Sequence, residues 1–96
     1  MKRSLPAPIL FQDDDDGFRT WVHENADGYV VNAPRGELPR ESWLHRARCS
    51  TITAAKVALT KEYVKYCGPG RAILRDWARL RLGCKPSEGC TCLGSE

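Results

Sequence analysis

The sequence predicts an α+β domain: a three-stranded antiparallel sheet with an N-terminal and a C-terminal helix packed on one face, in the order αβββα. Three observations lead there. Apolar residues recur at helical spacing near each end of the chain, as Phe18, Trp21 and Val22 and again as Ile73, Trp77 and Leu80. Between them lie short runs rich in Val, Tyr and Trp, which suit strands. Gly and Pro separate these segments at Asp27-Gly28, Pro34 to Pro39, Gly68-Pro69 and Gly83.

The elements follow in order. Residues 1–12 read as a tail, because two prolines there remove backbone donors and oppose a helix. Asp13 to Asp16 mark a helix start, since acidic side chains cap free N–H groups and complement the positive end of the helix dipole. The helix runs from about Asp15 to Asn25, and Gly28 suits its left-handed cap. Tyr29 to Ala33 is a short strand. The Pro- and Gly-bearing segment 34–39 turns the chain back for an antiparallel partner, Trp43 to Cys49.

Read as a strand, this second run has two chemically different faces. Trp43, His45, Ala47 and Cys49 point one way, and Leu44, Arg46 and Arg48 the other. The stretch Ser50 to Gly68 is ambiguous. Ile52, Ala55, Leu59, Tyr63 and Tyr66 repeat at helical spacing, whereas Thr60 to Cys67 has β-favouring Thr, Tyr and Val that alternate as a strand. Pro69 to Leu82 is the clearest helix, with Ile73, Trp77 and Leu80 as its buried stripe, widened by Leu74 and Ala78, and Arg71, Arg75 and Arg79 as a second stripe. Residues 84–96 read as a polar, Cys-containing tail, which leaves 13–83 as the single domain. The expected core is Phe18, Trp21, Val22, Val31, Trp43, Ala47, Ile73, Leu74, Trp77 and Leu80.

Composition bounds the function. With 96 residues, 42% hydrophobic and 28% charged, there is material for one modest core. No apolar stretch approaches the ~20 residues that cross a bilayer, so no membrane partner is expected. Met1-Lys2-Arg3 followed by Leu5 to Leu10 is too short and proline-broken for a secretory signal. The expected location is therefore the cytoplasm, where five cysteines stay reduced. The formal charge is +3, but residues 17–83 hold twelve Lys and Arg against six Asp and Glu, or +6. Ten of the fifteen basic residues are Arg, the side chain better shaped for phosphate.

Two chemistries follow. The first is a basic surface for DNA or RNA. If Thr60–Cys67 is a strand, Tyr63 and Lys65 join Arg46 and Arg48 on one sheet face, with Tyr63 stacking on a base; Arg71, Arg75 and Arg79 form a second ridge. The second is a metal clip. His45, Cys49, Cys67, Cys84, Cys90 and Cys92 are ligand types that zinc uses, although no Cys-x-x-Cys spacing is present. His45 and Cys49 lie ~13 Å apart in a straight strand, so sharing an ion requires a bulge or ligands from the tail. The expectation is therefore no cofactor, with zinc as the alternative. Catalysis by Cys49 with His45 meets the same separation; Cys67 in a neighbouring strand could approach His45, but nothing in the sequence establishes it, and no hydrolase or phosphate-loop motif occurs; the chain reads as a non-enzyme.

The order Gly28-Tyr29-Val30-Val31-Asn32, Leu44-His45-Arg46-Ala47-x-Cys49, Thr60-x-x-Tyr63-Val64-Lys65-x-Cys67 and Leu74-x-x-Trp77-Ala78 resembles a small bacterial domain found alone or attached to HNH-type nucleases and other restriction or defence modules. The resemblance covers about Phe18 to Leu82. It implies a strand at Thr60–Cys67 and a context, namely a nuclease or other defence protein as partner, but no mechanism; the HNH motif itself is absent. The expected function is a non-catalytic accessory module that binds nucleic acid weakly, the alternative a protein-interaction or structural module carrying a zinc clip.

Overall fold

The structure is a computed structural model that describes residues 7–36, 41–54 and 59–93. Expectations for residues 1–6, the Glu37 to Pro39 part of the loop, Ala55 and residues 94–96 lie outside the described residues. The elements are β1 (Ile9–Phe11), α1 (Asp15–Glu24), β2 (Tyr29–Pro34), β3 (Trp43–Arg46), α2 (Ser50–Thr53), β4 (Tyr63–Gly68), α3 (Arg71–Arg81) and a 3₁₀ turn at Thr91–Leu93. The sheet is antiparallel in the order β1-β4-β2-β3.

It has four strands, not three. Ile9–Phe11, expected in the tail, pairs with β4 through Ile9↔Cys67, Leu10↔Tyr66 and Phe11↔Lys65. Pro8 stands just before this edge strand, a position where a missing N–H breaks no ladder. The ambiguous middle segment divides: Ser50–Thr53 is one helical turn, and Tyr63–Gly68 is a strand.

The two long helices cover opposite faces of the sheet, not one. Register and the two-residue period of a strand place Val30, His45, Lys65 and Cys67 on one face, and Val31, Ala33, Leu44 and Tyr66 on the other. Phe18 and Trp21 of α1 pack with Val30 and Cys67. Leu74 and Ala78 of α3, with Leu82 beyond it, pack with Val31, Ala33 and Leu44. The cause is visible in β2: Val30 and Val31 are both fully buried, and neighbours in a strand face opposite ways. One layer of helix cannot cover both.

This arrangement also rotates α3 from its expected orientation. Its inner stripe is Leu74, Ala78 and Leu82. Ile73 and Leu80, expected in the core, are 48% and 61% exposed. Trp77 is half-buried and tilts against Tyr66, with ring centroids 5.0 Å apart. Trp43 and Val22 are likewise only half-buried.

The aspartate run does cap α1, but each residue acts differently. The Asp14 side chain accepts from the Gly17 N–H at 2.9 Å, which makes it the N-cap. Asp15 accepts from the N–H groups of Leu59 and Thr60 and from the Thr60 hydroxyl, at 2.7 to 3.0 Å, and so fixes the approach to β4. Asp13 pairs with Arg35 at 2.7 Å, and that guanidinium holds its carboxyl below the ordinary range.

The segment after α3 is built into the fold. Ser87 bridges Trp43 in parallel, its N–H donating to Ser42 and its carbonyl accepting from Leu44. Leu93 is fully buried. Residues 84–93 thereby run along the β3 edge toward its C-terminal end.

Candidate metal centre

Strand β3 stops at Arg46, three residues before its expected end. The Cys49 N–H donates back to the Arg46 carbonyl at 3.0 Å, closing a turn through Ala47 and Arg48, while the Ala47 N–H donates to the Gly28 carbonyl at 2.9 Å. This turn folds Cys49 back toward His45, where an extended strand holds them apart. Cys49 then precedes α2, with Thr53 Oγ1 donating to its carbonyl.

The C-terminal segment supplies the rest. Cys90 Sγ lies 3.6 Å from Cys49 Sγ, and Cys92 Sγ 3.9 Å from His45 Nδ1. One ligand atom from each of His45, Cys49, Cys90 and Cys92 falls within 4.8 Å of the other three. In a tetrahedron with metal–ligand bonds of about 2.0–2.3 Å, ligand atoms stand about 3.3–3.8 Å apart. The four donors therefore need only shift by about an ångström or less to enclose an ion, and they can hold one.

The surroundings favour a charged metal–thiolate group. The Arg46 N–H donates to Cys92 Sγ at 3.3 Å, and Arg46 Nε donates to the Cys92 carbonyl at 2.7 Å. Such outer contacts orient ligands and offset thiolate charge. Burial holds the His45 imidazole below its usual pKa, with the nearby Lys65 cation adding to the effect, so it is neutral and ready to ligate at pH 7. Burial pushes the Cys92 thiol up to about 12, while the Cys92 N–H, by hydrogen bonding, lowers Cys90. A bound cation reverses that cost by drawing the proton off each sulfur.

Two of the six candidate ligands stand apart. Cys67 is 1% exposed in β4, among the apolar residues around Val30, and burial raises its pKa. Cys84 lies by Ser42, Sγ to Oγ 3.7 Å.

The basic residues are dispersed. Lys65 is buried on the opposite face from Arg46, with Nζ donating to the Leu59 carbonyl and lying 5.8 Å from the Phe18 ring centre. Arg46 is half-buried over the Tyr29 ring, bonded to Tyr29 Oη and Cys92. Arg48 is exposed in the turn beyond β3. Tyr63 is exposed, its ring tilted against Trp43. On α3, Arg71 pairs with Glu88 at 3.0 Å, Arg75 lies 3.4 Å from Asp76, and Arg79 is exposed. The expectation of Arg46, Arg48, Tyr63 and Lys65 on one sheet face is thus corrected: strand parity separates Lys65 and Tyr63 from Arg46, and Arg48 lies outside the strand.

All four cluster residues were visible in the sequence as ligand types. The early end of β3 was not, and it alone brings His45 and Cys49 together. The available signal was Cys49-Ser50-Thr51, polar residues that start a helical turn better than they extend a strand. Among the described residues, no helix is long and apolar enough to cross a membrane. Comparison with protein-family models, with curated proteins and with solved structures finds no match.

Proposed function

We propose that this chain is a non-catalytic accessory module in which one zinc ion, held by His45, Cys49, Cys90 and Cys92, clips the C-terminal segment onto the sheet. The observation that carries the reading is the convergence of four ligand atoms, one from β3, one from the turn that ends it and two from the segment after α3, within 4.8 Å of one another. Three thiolates and one imidazole suit zinc, and the cytoplasm keeps such thiols reduced. Four protein ligands fill a tetrahedron and leave no position for a substrate or an activated water, so the site is structural. The resemblance to modules attached to HNH-type nucleases supplies the context: docking on a nuclease or other defence protein. Phosphate binding has less support, because Lys65 is buried and Arg46 is engaged by Cys92 and Tyr29.

Elemental analysis of reduced, tag-free protein reconstituted with zinc should find one zinc per chain. Cobalt(II) in its place should give thiolate-to-metal absorption and the visible bands of a tetrahedral ion. His45→Ala and Cys92→Ser should lose that signature, whereas Cys67→Ala and Cys84→Ser should keep it. Retention of one zinc in Cys92→Ser, or its loss in Cys84→Ser, would reject this ligand set.

A further inference from the structure

Within the four-residue cluster, two thiols are placed for chemistry of their own. Cys49 Sγ and Cys90 Sγ touch at 3.6 Å, in hydrogen-bond contact. Cys49 is held by the β3 turn and is 7% exposed. Cys90 is half-buried in the loop that leads into the 3₁₀ turn, more open than Cys49, and so it is the sulfur of the pair that a soluble oxidant reaches first. A disulfide needs S–S of about 2.05 Å, so the pair must close by about 1.5 Å, a movement the Cys90 loop can supply. Cys90 and Cys92 are two residues apart, a spacing at which a disulfide is strained. Cys84 is turned to Ser42, and Cys67 is 1% exposed within β4.

We propose that Cys49 and Cys90 are a site of oxidative modification, at which a hydroperoxide exchanges the metal clip for a disulfide clip. The Cys90 thiolate attacks the terminal peroxide oxygen. An S–O bond forms as the O–O bond breaks, and the departing alkoxide takes a proton. The Cys49 thiolate then attacks the Cys90 sulfenic acid; the S–S bond forms, the S–O bond breaks, and hydroxide leaves as water on protonation. In sum, two thiols and one hydroperoxide give one disulfide, one alcohol and one water, with two electrons passing from sulfur to peroxide. An ion at the site loses two of its four ligands and departs. His45 and Cys92 stay in place, and the new bond still ties the C-terminal segment to the β3 turn. The coupling to ion release rests on the zinc reading above; the Cys49–Cys90 bond itself does not.

The test treats the zinc-loaded full chain with hydrogen peroxide and follows released zinc with a chromophoric chelator, while fragmentation mass spectrometry maps the cysteines. The expected result is one zinc released for each disulfide formed, with Cys49 joined to Cys90, Cys67 and Cys84 still free thiols, and full recovery on adding dithiothreitol and zinc. Cys90→Ser should abolish the cross-link. The mapping on the unsubstituted chain stands even where that variant folds poorly. Zinc content before peroxide reports the metal reading separately, and the reduced metal-free chain, run in parallel, should form the same bond. A disulfide through Cys67 or Cys84, or oxidation that ends at sulfinic acid without a cross-link, would overturn the proposal.

Discussion

Lys65 is the least expected occupant of the interior. Its side chain enters the face of the sheet covered by α1, at 3% exposure, where Nζ finds the Leu59 carbonyl and the Phe18 ring. Burial lowers its pKa to about 8, against 10.5 in an unfolded chain. Between those values the unfolded chain holds one more proton than the native one, so stability rises with pH across that window and carries the full penalty below it. The shift corresponds to about 3 kcal/mol at most. Lys65→Met keeps the volume and removes the charge. It should be as stable as the parent or more so at pH 7, and the stability difference between the two should shrink from about pH 8 to 10.5. Denaturant unfolding at several pH values measures this, since other titrating groups are common to both proteins. A constant difference across that range would place the ammonium group in water. The alternation of Thr60 to Cys67 fits the strand no better than the competing helical spacing, and it hides the burial, because a lysine in a strand ordinarily marks a solvated face.

At the scale of elements, α3 shows how far periodicity reaches. Its helical spacing is plain, with a clear stop at Gly83. Its facing was not legible, because Ile73, Trp77 and Leu80 make as apolar a stripe as Leu74, Ala78 and Leu82. The small Ala78 lets the helix approach Val31 and Ala33 of β2, and that contact selects the second stripe. Leu74→Ala should therefore cost about 2–5 kcal/mol, as for a buried leucine. Leu80→Ala should change stability by about 0.5 kcal/mol or less, as for an exposed position. Equal losses for the two would mean that α3 sits as the first stripe predicted. Strand β1 escaped notice for a different reason. Three residues between a proline-rich lead and an aspartate run carry too little alternation to register, and only pairing with β4 defines them.

At the scale of the molecule, the proposed clip would add to the hydrogen bonds that already join the β3 edge to the residues that follow α3. Its ends are 47 residues apart, from His45 to Cys92, so an ion held there would fix a contact between segments distant in the chain. A ligand that binds only the native state contributes about 4 kcal/mol at a thousandfold excess over its dissociation constant. In a chain this short, that is a melting shift on the order of 15–30 °C. Chelation of the reduced, zinc-loaded protein should lower its melting temperature by such an amount, and scanning calorimetry with and without chelator reads it. A metal-free protein that melts at the same temperature would show that the sheet and helices hold this segment unaided. Zinc loading at pH 7 should also release protons, because the Cys92 thiol, pushed up to about 12, must give up its own to ligate, while the neutral His45 gives none. Calorimetry in buffers of different ionisation enthalpy counts them.

By itself, the sequence determined α1, β2, the start of β3 and α3 in that order, because each rests on local facts: a capping aspartate, a run of β-branched residues, a helical spacing closed by glycine; it left Ser50 to Gly68 open between helix and strand, and the structure divides that stretch into α2 and β4. It also named every side chain in the candidate centre. Only the tertiary structure decided which face each helix covers, which stripe of α3 is inside, and which four of six ligand types meet. Those outcomes depend on contacts between residues far apart in the chain, above all on the two-sided burial of Val30 and Val31 and on the turn that ends β3 at Arg46.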